Sequence, residues 1–241
     1  MKWFVCDNLS EKNGFNRKKV IIFVADLILI DLSVKKKFRE YLNLKHSLKI
    51  NICLFMGTYY ELCVKDMSTI LPAEEYIRRF RDAETFMRRC MECRNYNRTW
   101  GCPPYDHDIE EELGHYNSVM ITVTVINLGG NRIFLTEWDS VTAPQRERLE
   151  KMLLEKEKEL GGKAFGFGGT CRHCPAGKCT RRDGLPCRHP ELVRPSLEAY
   201  GFDISKTLAE LFDIELVWGK EGFMPEYITL VSGCMFDKNI Q

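Results

Sequence analysis

The sequence predicts an α/β or α+β fold in which helices flank a single mixed sheet and cysteine-rich loops join the elements. Two observations carry this prediction. Segments with the apolar pattern of strands alternate with segments of helical periodicity over most of the chain beyond residue 70. Seven of the eleven cysteines fall into two clusters that also contain glycine and proline, and these two residue types favour loops over regular elements.

Residues 1–55 differ in composition from the remainder. They hold more than twice as many basic as acidic residues and none of the nine prolines. Their longest apolar run, residues 20–32, contains two aspartates and is shorter than the roughly 18 residues that span a bilayer. We therefore expect residues 1–55 to be an atypical basic extension, non-native or disordered, and residues 56–241 to form the cysteine-cluster domain. The alternative is that the extension contains a basic helix that binds a membrane surface or a partner protein.

Charge and targeting signals argue against several classes of protein. The net charge of +1 argues against a dedicated nucleic-acid surface. The chain opens without the pattern of a signal peptide, so we expect a cytoplasmic protein with no membrane span. In such a protein an odd number of cysteines, clustered as C-x2-C pairs, favours metal ligation over disulfides, which remain the alternative.

A helix is predicted over residues 73–87, because Tyr76, Phe80, Ala83 and Met87 form one apolar stripe. This helix would deliver Cys90 at its C-terminal end. Arginines crowd the same region, and they either form a solvated helix face, offset the negative charge of thiolate ligands or bind an anionic substrate. They are Arg78, Arg79, Arg81, Arg88, Arg89, Arg94 and Arg98.

Further elements alternate along the rest of the chain. The predicted elements are a short helix over 106–116, a buried strand over 118–126, a strand over 132–136, a helix over 142–160, a short strand over 163–167, a brief helical segment over 194–201, a helix from Ser205 to Phe212, and strands over 215–218 and 227–232. The strand at 118–126 is β-branched and nearly all apolar. The long helix has Pro144 in its first turn and Gly161-Gly162 at its end, as helix boundaries prefer.

Four cysteines form the densest motif: Cys171, Cys174, Cys179 and Cys187, spaced C-x2-C-x4-C-x7-C. A segment so poor in aliphatic residues cannot hold its shape by burying apolar surface. Its spacing therefore predicts thiolate ligation to a metal or an iron–sulfur cluster. Structural zinc sites usually contain two C-x2-C pairs, whereas only the first pair here has that spacing. The pattern favours a [4Fe–4S] cluster and leaves an all-thiolate zinc site as the alternative.

Three further cysteines, Cys90, Cys93 and Cys102, form the motif C-x2-C-x8-C, which two prolines follow. Three thiolates leave one position of a cluster or of a zinc ion open, as a catalytic metal requires. Alternatively, both groups converge on fewer metals, or His107, His115 or an isolated cysteine fills the open position. The isolated cysteines are expected to be small buried apolar residues. They are Cys6, Cys53, Cys63 and Cys234.

Five other side chains lie in or beside these motifs. His173 and His189 could each ligate a metal, but a solvent-facing or supporting role is the more common one for such histidines. Trp100 is expected to shield a cluster from water. Ser196 and Glu198 are either a catalytic hydroxyl and acid or simply helix-capping residues.

At these motifs the chain resembles an uncharacterised prokaryotic family of predicted metal-binding proteins, a domain of unknown function. The resemblance covers about residues 60–235 and leaves residues 1–55 unmatched. It rests on Cys90-x2-Cys93, Trp100-Gly101-Cys102-Pro103-Pro104, Gly168-Gly169-x-Cys171-x2-Cys174-x4-Cys179, Pro186-Cys187-Arg188-x-Pro190 and Arg194-Pro195-Ser196-Leu197-Glu198-Ala199-x-Gly201. Leu197 stands where the family tends to carry methionine. The resemblance implies metal binding and no particular reaction.

The sequence leaves three functions open. The first is an iron–sulfur protein with one or two [4Fe–4S] clusters that transfers electrons to or from a redox partner protein. The second is an enzyme that uses an open iron at Cys90, Cys93 and Cys102 on a small anionic or thiolated substrate. The third is a zinc-stapled binding module without catalytic chemistry.

Overall fold

Residues 50–56 and 60–237 are described by the structure, a computed structural model. Their five strands form one antiparallel sheet with the order β1-β2-β3-β5-β4. The strands are β1 (Ile50–Met56), β2 (Tyr60–Pro72), β3 (Ser118–Asn127), β4 (Lys163–Phe165) and β5 (Tyr227–Phe236). The predicted fold class, one sheet flanked by helices, is confirmed, but all four strand pairings are antiparallel, so the sheet is not mixed as predicted and the fold has the α+β form.

Five α-helices accompany the sheet in the described part of the chain. They are α1 (Ala73–Phe80), α2 (Ala83–Glu92), α3 (Ile109–Leu113), α4 (Trp138–Leu160) and α5 (Ile204–Phe212). The central strand β3 contributes fully buried side chains to two apolar clusters. Ile121 packs in the cluster that includes Tyr76 of α1, and Ile126 packs in the cluster that includes Leu149 of α4. Burial on both sides explains why β3 reads as a nearly continuous apolar run.

The single helix predicted over residues 73–87 is wrong, because the chain breaks between α1 and α2. Arg81 is extended, and its guanidinium donates to the carbonyl oxygen of Tyr200 at 2.7 Å. The carboxylate of Asp82 then accepts from the backbone N–H of Thr85 at 3.1 Å and so caps α2. Cys90 still lies in the last turn of α2, as expected.

Three other local predictions also need correction. Helix α4 begins at Trp138, so Pro144 lies inside it and not in its first turn. Residues 132–136 form no strand: Phe134 makes one isolated bridge to Phe223 before a short 3-10 helix over Leu135–Glu137. Residues 215–218 have no regular structure. Helix α5 is capped by Asp203, whose side chain accepts from the Lys206 N–H at 2.9 Å.

The segment between β4 and α5 carries the second cysteine cluster and has little regular structure. It contains two 3-10 helices, Thr180–Asp183 and Glu198–Tyr200. The second of these packs against α2, and Gly201, which ends it, lies so close that a Cβ atom there would be 2.8 Å from the Cα of Ala83. This contact fixes the end of the cysteine-rich segment against the helix that carries Cys90.

The predicted division at residue 55 stays a prediction. Strand β1 crosses that position and pairs along its whole length with β2. Residues 1–49, which include Cys6 and the apolar run 20–32, lie outside the described residues, as does the side chain of Cys53. Within residues 60–237, no helix is both long and apolar enough to cross a bilayer.

Candidate metal centre

The four cysteines of the second cluster line a single pocket, where each side chain is half-buried. Burial raises the pKa of Cys171, and the neighbouring thiols of Cys179, Cys187 and Cys174 raise it further. The backbone N–H of His173 opposes this shift by hydrogen bonding to Cys171. Four thiols of one loop therefore line one pocket, and their role as a single ligand set stays a prediction.

Nitrogen donors contact two sulfurs of this cluster. The backbone N–H of His189 donates to the Cys187 Sγ at 3.4 Å, and the guanidinium of Arg188 lies 4.0 Å from the Cys174 Sγ. Arg188 also donates to the carbonyl oxygen of Lys178 at 2.8 Å, which holds it inside the loop. Donors placed at sulfur atoms are a common feature of sites where cysteines act as ligands.

The three cysteines of the first cluster lie where α2 ends and the following turns begin. Cys90 occupies the last turn of α2, and the N–H of Cys93 donates to its carbonyl oxygen at 3.0 Å. Burial raises the pKa of Cys90 to about 11, and the thiols of Cys102 and Cys93 add to that shift. Binding of a metal by Cys90 at neutral pH must therefore release a proton.

Arg181 connects the two clusters. It belongs to the second cysteine segment, and its guanidinium donates to the carbonyl oxygens of Cys102, at 3.0 Å, and of Pro104. The same guanidinium lies over the ring of Trp100 at 4.8 Å and donates to the Asn97 side chain at 3.1 Å. One side chain thus holds the loop that carries Cys102 against the segment that carries the other four cysteines.

The clusters are also electrostatic neighbours. Burial raises the pKa of Cys102, and the thiols of Cys93 and Cys179 raise it too, although Cys179 belongs to the other cluster. Trp100 lines the pocket of the second cluster and donates from its indole N–H to the Leu185 carbonyl oxygen at 3.2 Å. The seven cysteines therefore form one composite region.

The arginines that the sequence analysis singled out contact the cysteine loops less than two others, Arg181 and Arg188, which it did not single out. Arg79 is paired with Glu75 and Glu210, and Arg81 with Glu110, so both belong to an ion-paired surface. Arg98 does line the pocket of the second cluster. The arginines that contact the cysteine loops, Arg181 and Arg188, could have been found from their position inside the second motif.

The described candidates for a fourth ligand of the first cluster are otherwise engaged or differently placed. His107 directs its Nε2 to the Tyr200 hydroxyl at 2.9 Å and to the Glu112 carboxylate at 3.1 Å. Cys234 is fully buried in β5, where it pairs with β3 and β4, and Cys63 lies in β2. His115 is exposed.

Two further predicted residues lie beside the first cluster. Ser196 caps the following 3-10 turn, because its hydroxyl oxygen accepts from the Ala199 N–H at 3.3 Å. Glu198 approaches the backbone of Gly168, where a Cβ atom would lie 2.9 Å from its Oε1. Burial raises the pKa of Glu198, and its charge in turn contributes to the raised pKa of Cys90.

The donor chemistry fits a thiophilic metal or an iron–sulfur cluster. The seven clustered cysteines are free thiols, and sulfur ligands select zinc and iron–sulfur clusters. In the conformation of residues 60–237, no three acidic, histidine or cysteine side chains already converge closely enough to hold one ion. The sulfurs must move together on binding, which is common because ligand convergence and folding are coupled in thiolate sites.

Comparison with known proteins identifies the family and nothing narrower. No curated protein and no solved structure matches the chain. A family model described as "Predicted metal-binding protein (DUF2284)" matches residues 77–236, a range that contains all seven clustered cysteines. Since that range covers well over half of the chain, the protein belongs to this family of predicted metal-binding proteins.

Proposed function

We propose that this protein is an iron–sulfur protein with a redox or electron-transfer role. Cys171, Cys174, Cys179 and Cys187 would hold one [4Fe–4S] cluster. The observation that carries the proposal is that these four free, half-buried thiols line one pocket in a loop with little regular structure. When bound, a [4Fe–4S] cluster supplies one-electron redox chemistry.

The chain's own residues support this role in two ways. The N–H groups of His173 and His189 and the guanidinium of Arg188 lie at the sulfurs, where they offset negative charge and so raise a reduction potential. The indole of Trp100 lines the pocket of the four cysteines, and the guanidinium of Arg181 lies over its ring. Free thiols also fit a reducing compartment such as the cytoplasm.

The first cluster favours a second candidate function, an enzyme that uses an incompletely ligated iron as a Lewis acid. Cys90, Cys93 and Cys102 would supply three thiolates. The observation in favour is that His107, the nearest predicted fourth ligand in sequence, is held by Tyr200 and Glu112. A substrate atom would then take the remaining position, and the predicted class is a small anionic or thiolated molecule.

Metal and acid-labile sulfide content, measured on protein purified without oxygen, tests both proposals. About eight irons and eight sulfides per chain indicate two [4Fe–4S] clusters and favour the enzyme, and about four of each indicate one cluster. Cys174→Ser and Cys93→Ser then assign the clusters, since each variant should lose about four irons if its own motif is occupied. Zinc without sulfide would overturn both proposals and leave a structural zinc module.

A further inference from the structure

A cavity between the two cysteine clusters contains an arginine unlike the others. Arg146 projects from the inner face of α4, and only 9% of its surface is exposed. Two other arginines nearby are paired with carboxylates: Arg148 makes two hydrogen bonds to Asp66, and Arg194 binds Glu157. Within residues 60–237, no carboxylate lies within 4 Å of Arg146.

The hydrogen-bonding capacity of Arg146 is almost unused. One terminal nitrogen donates to the Gly168 carbonyl oxygen at 3.4 Å, near the outer limit of a hydrogen bond. The guanidinium also lies 5.6 Å from the centre of the Phe167 ring, a contact that consumes no N–H donor. Guanidinium groups carry five donors in a planar fork, and the buried Nε of Arg146 has no hydrogen-bond partner, which is energetically costly.

The buried polar atoms that lack a good hydrogen bond belong to residues that line this cavity. Among the described residues, two buried side-chain nitrogen or oxygen atoms have no well-formed hydrogen bond, the Nε of Arg146 and the Oγ1 of Thr99, although the Thr99 hydroxyl also lies beside the Cys102 thiol and lowers its pKa. Both residues line the same cavity, together with Cys102 of the first cluster and Cys171 of the second. About 40 Å³ of the cavity is open to water, against the roughly 10–15 Å³ that one water molecule needs.

We propose that this cavity binds the oxyanion group of a small molecule, a carboxylate or a phosphate, through Arg146 and Thr99. An oxyanion accepts two N–H bonds from a guanidinium and a further bond from a hydroxyl, which would satisfy both orphaned groups. The backbone of Gly169 leaves room, since a Cβ atom there would lie 3.5 Å from the Arg146 guanidinium.

The same geometry limits the ligand. Glu150 also lines the cavity and would repel a second negative group, so the ligand carries one anionic group. The remainder of the molecule would lie toward Cys102 and Cys171, between the clusters. The inference goes beyond the proposed function and does not rest on the identity of the metal.

Thermal unfolding of the full holo-protein in acetate or inorganic phosphate tests the inference, with chloride adjusted to keep ionic strength constant. For the native protein we expect a saturable rise in Tm, roughly 5 °C or more at 100 times the dissociation constant. Arg146→Met should abolish this rise, and Thr99→Val should weaken it. Lys151→Met, which removes a positive charge from the exposed side of the same helix, should respond as the native protein does.

The variants also separate ligand binding from a structural role. Without added anion, Arg146→Met should be at least as stable as the native protein, because it removes an unpaired buried charge. The inference is overturned if Arg146→Met unfolds more easily, loses its metal or keeps the anion response, or if the native protein shows no saturable response. An anion response in a protein that contains zinc and no sulfide would uphold the inference while removing the proposed iron–sulfur function.

Discussion

The sheet and the cysteine-rich segment of this chain hold their shapes by different means. Strand β3 contributes fully buried Val119, Ile121 and Val123 to an apolar cluster with the helices around it. Around the four cysteines Leu185 is 55% and Leu192 37% exposed, and the segment joins the apolar core only near its end, through Leu197, Tyr200 and Phe202. The sheet is therefore held by apolar burial, whereas residues 170–190 rely on polar contacts and, we propose, on a bound metal.

Loss of the metal should give the largest difference in stability between the two regions. We expect Cys174→Ser, or chelation of the metal, to remove most hydrogen-exchange protection from residues 170–190 while β3 and β5 keep theirs. Thiolate–metal binding can contribute about 10–16 kcal/mol to the order of a small site. Cys234→Ala is the control, because Cys234 is buried in β5 and should leave the metal content unchanged.

If both regions instead lose protection together after metal removal, the stability of the sheet depends on the cysteine-rich segment, and the two regions are not stabilised by different means.

Truncation of a core side chain should instead destabilise the sheet. Ile121→Ala removes a fully buried side chain and should lower the free energy of unfolding by about 2–5 kcal/mol, measured by urea denaturation of the metal-free protein. Ile70→Ala in β2 is the matched control, since Ile70 is 50% exposed and its loss should change stability by less than about 1 kcal/mol. Equal effects of the two variants would contradict the assignment of the core.

Removal of the Arg181 side chain should loosen the contact between the cysteine clusters. Arg181→Met deletes hydrogen bonds to the carbonyl oxygens of Cys102 and Pro104, each worth roughly 1 kcal/mol or more. In metal-free protein the alkylation of Cys102 should become about tenfold faster, as 1.4 kcal/mol of easier opening implies. The neighbouring exposed Arg182→Met should leave the rate near the native value, and an unchanged rate in Arg181→Met would show that Arg181 is dispensable.

The smallest expected effect concerns the pH dependence of stability. Burial raises the pKa of Glu198, so the folded protein holds this proton more tightly than the unfolded chain does. The resulting stability is complete below the unfolded pKa, near 4.3, and is lost as pH rises through the folded pKa. Glu198→Gln should remove this loss and be more stable than the native protein at pH 7. Identical pH profiles of Tm for the two proteins would refute the assignment.

Local patterns predicted some elements well and missed two strands, β1 and β2. Strand β3 and the end of α4 at Gly161, which has a left-handed φ of 63°, follow the predictions closely. Strand β2 was not predicted, because it carries charged residues such as Asp66 in its middle. Arg148 of α4 and the hydroxyl of Thr124 in β3 satisfy that carboxylate, and such distant partners leave no local signal.

The candidate site also contains features that the sequence predicts and features that it does not. The seven cysteines could be predicted because their spacing along the chain is itself the signal, although their role as ligands stays a prediction. The position of Arg181 inside the second motif was a signal, but the partners of Arg181 and of Arg146 could not be predicted, since each contact joins segments that are distant in sequence. In the sequence Arg146 is one of many charged residues of a helix, and only the fold shows that it lines a cavity.

The position of Arg181 has a thermodynamic consequence for the seven cysteines. Because it joins the carbonyl oxygens beside Cys102 to the segment that carries Cys179, we propose that a ligand that orders one cluster also restrains the other. The two sites then share a coupling free energy, which by linkage has the same value in both directions. Occupation of either cluster should raise the affinity of the other, so half-loaded protein should be rarer than independent binding would give.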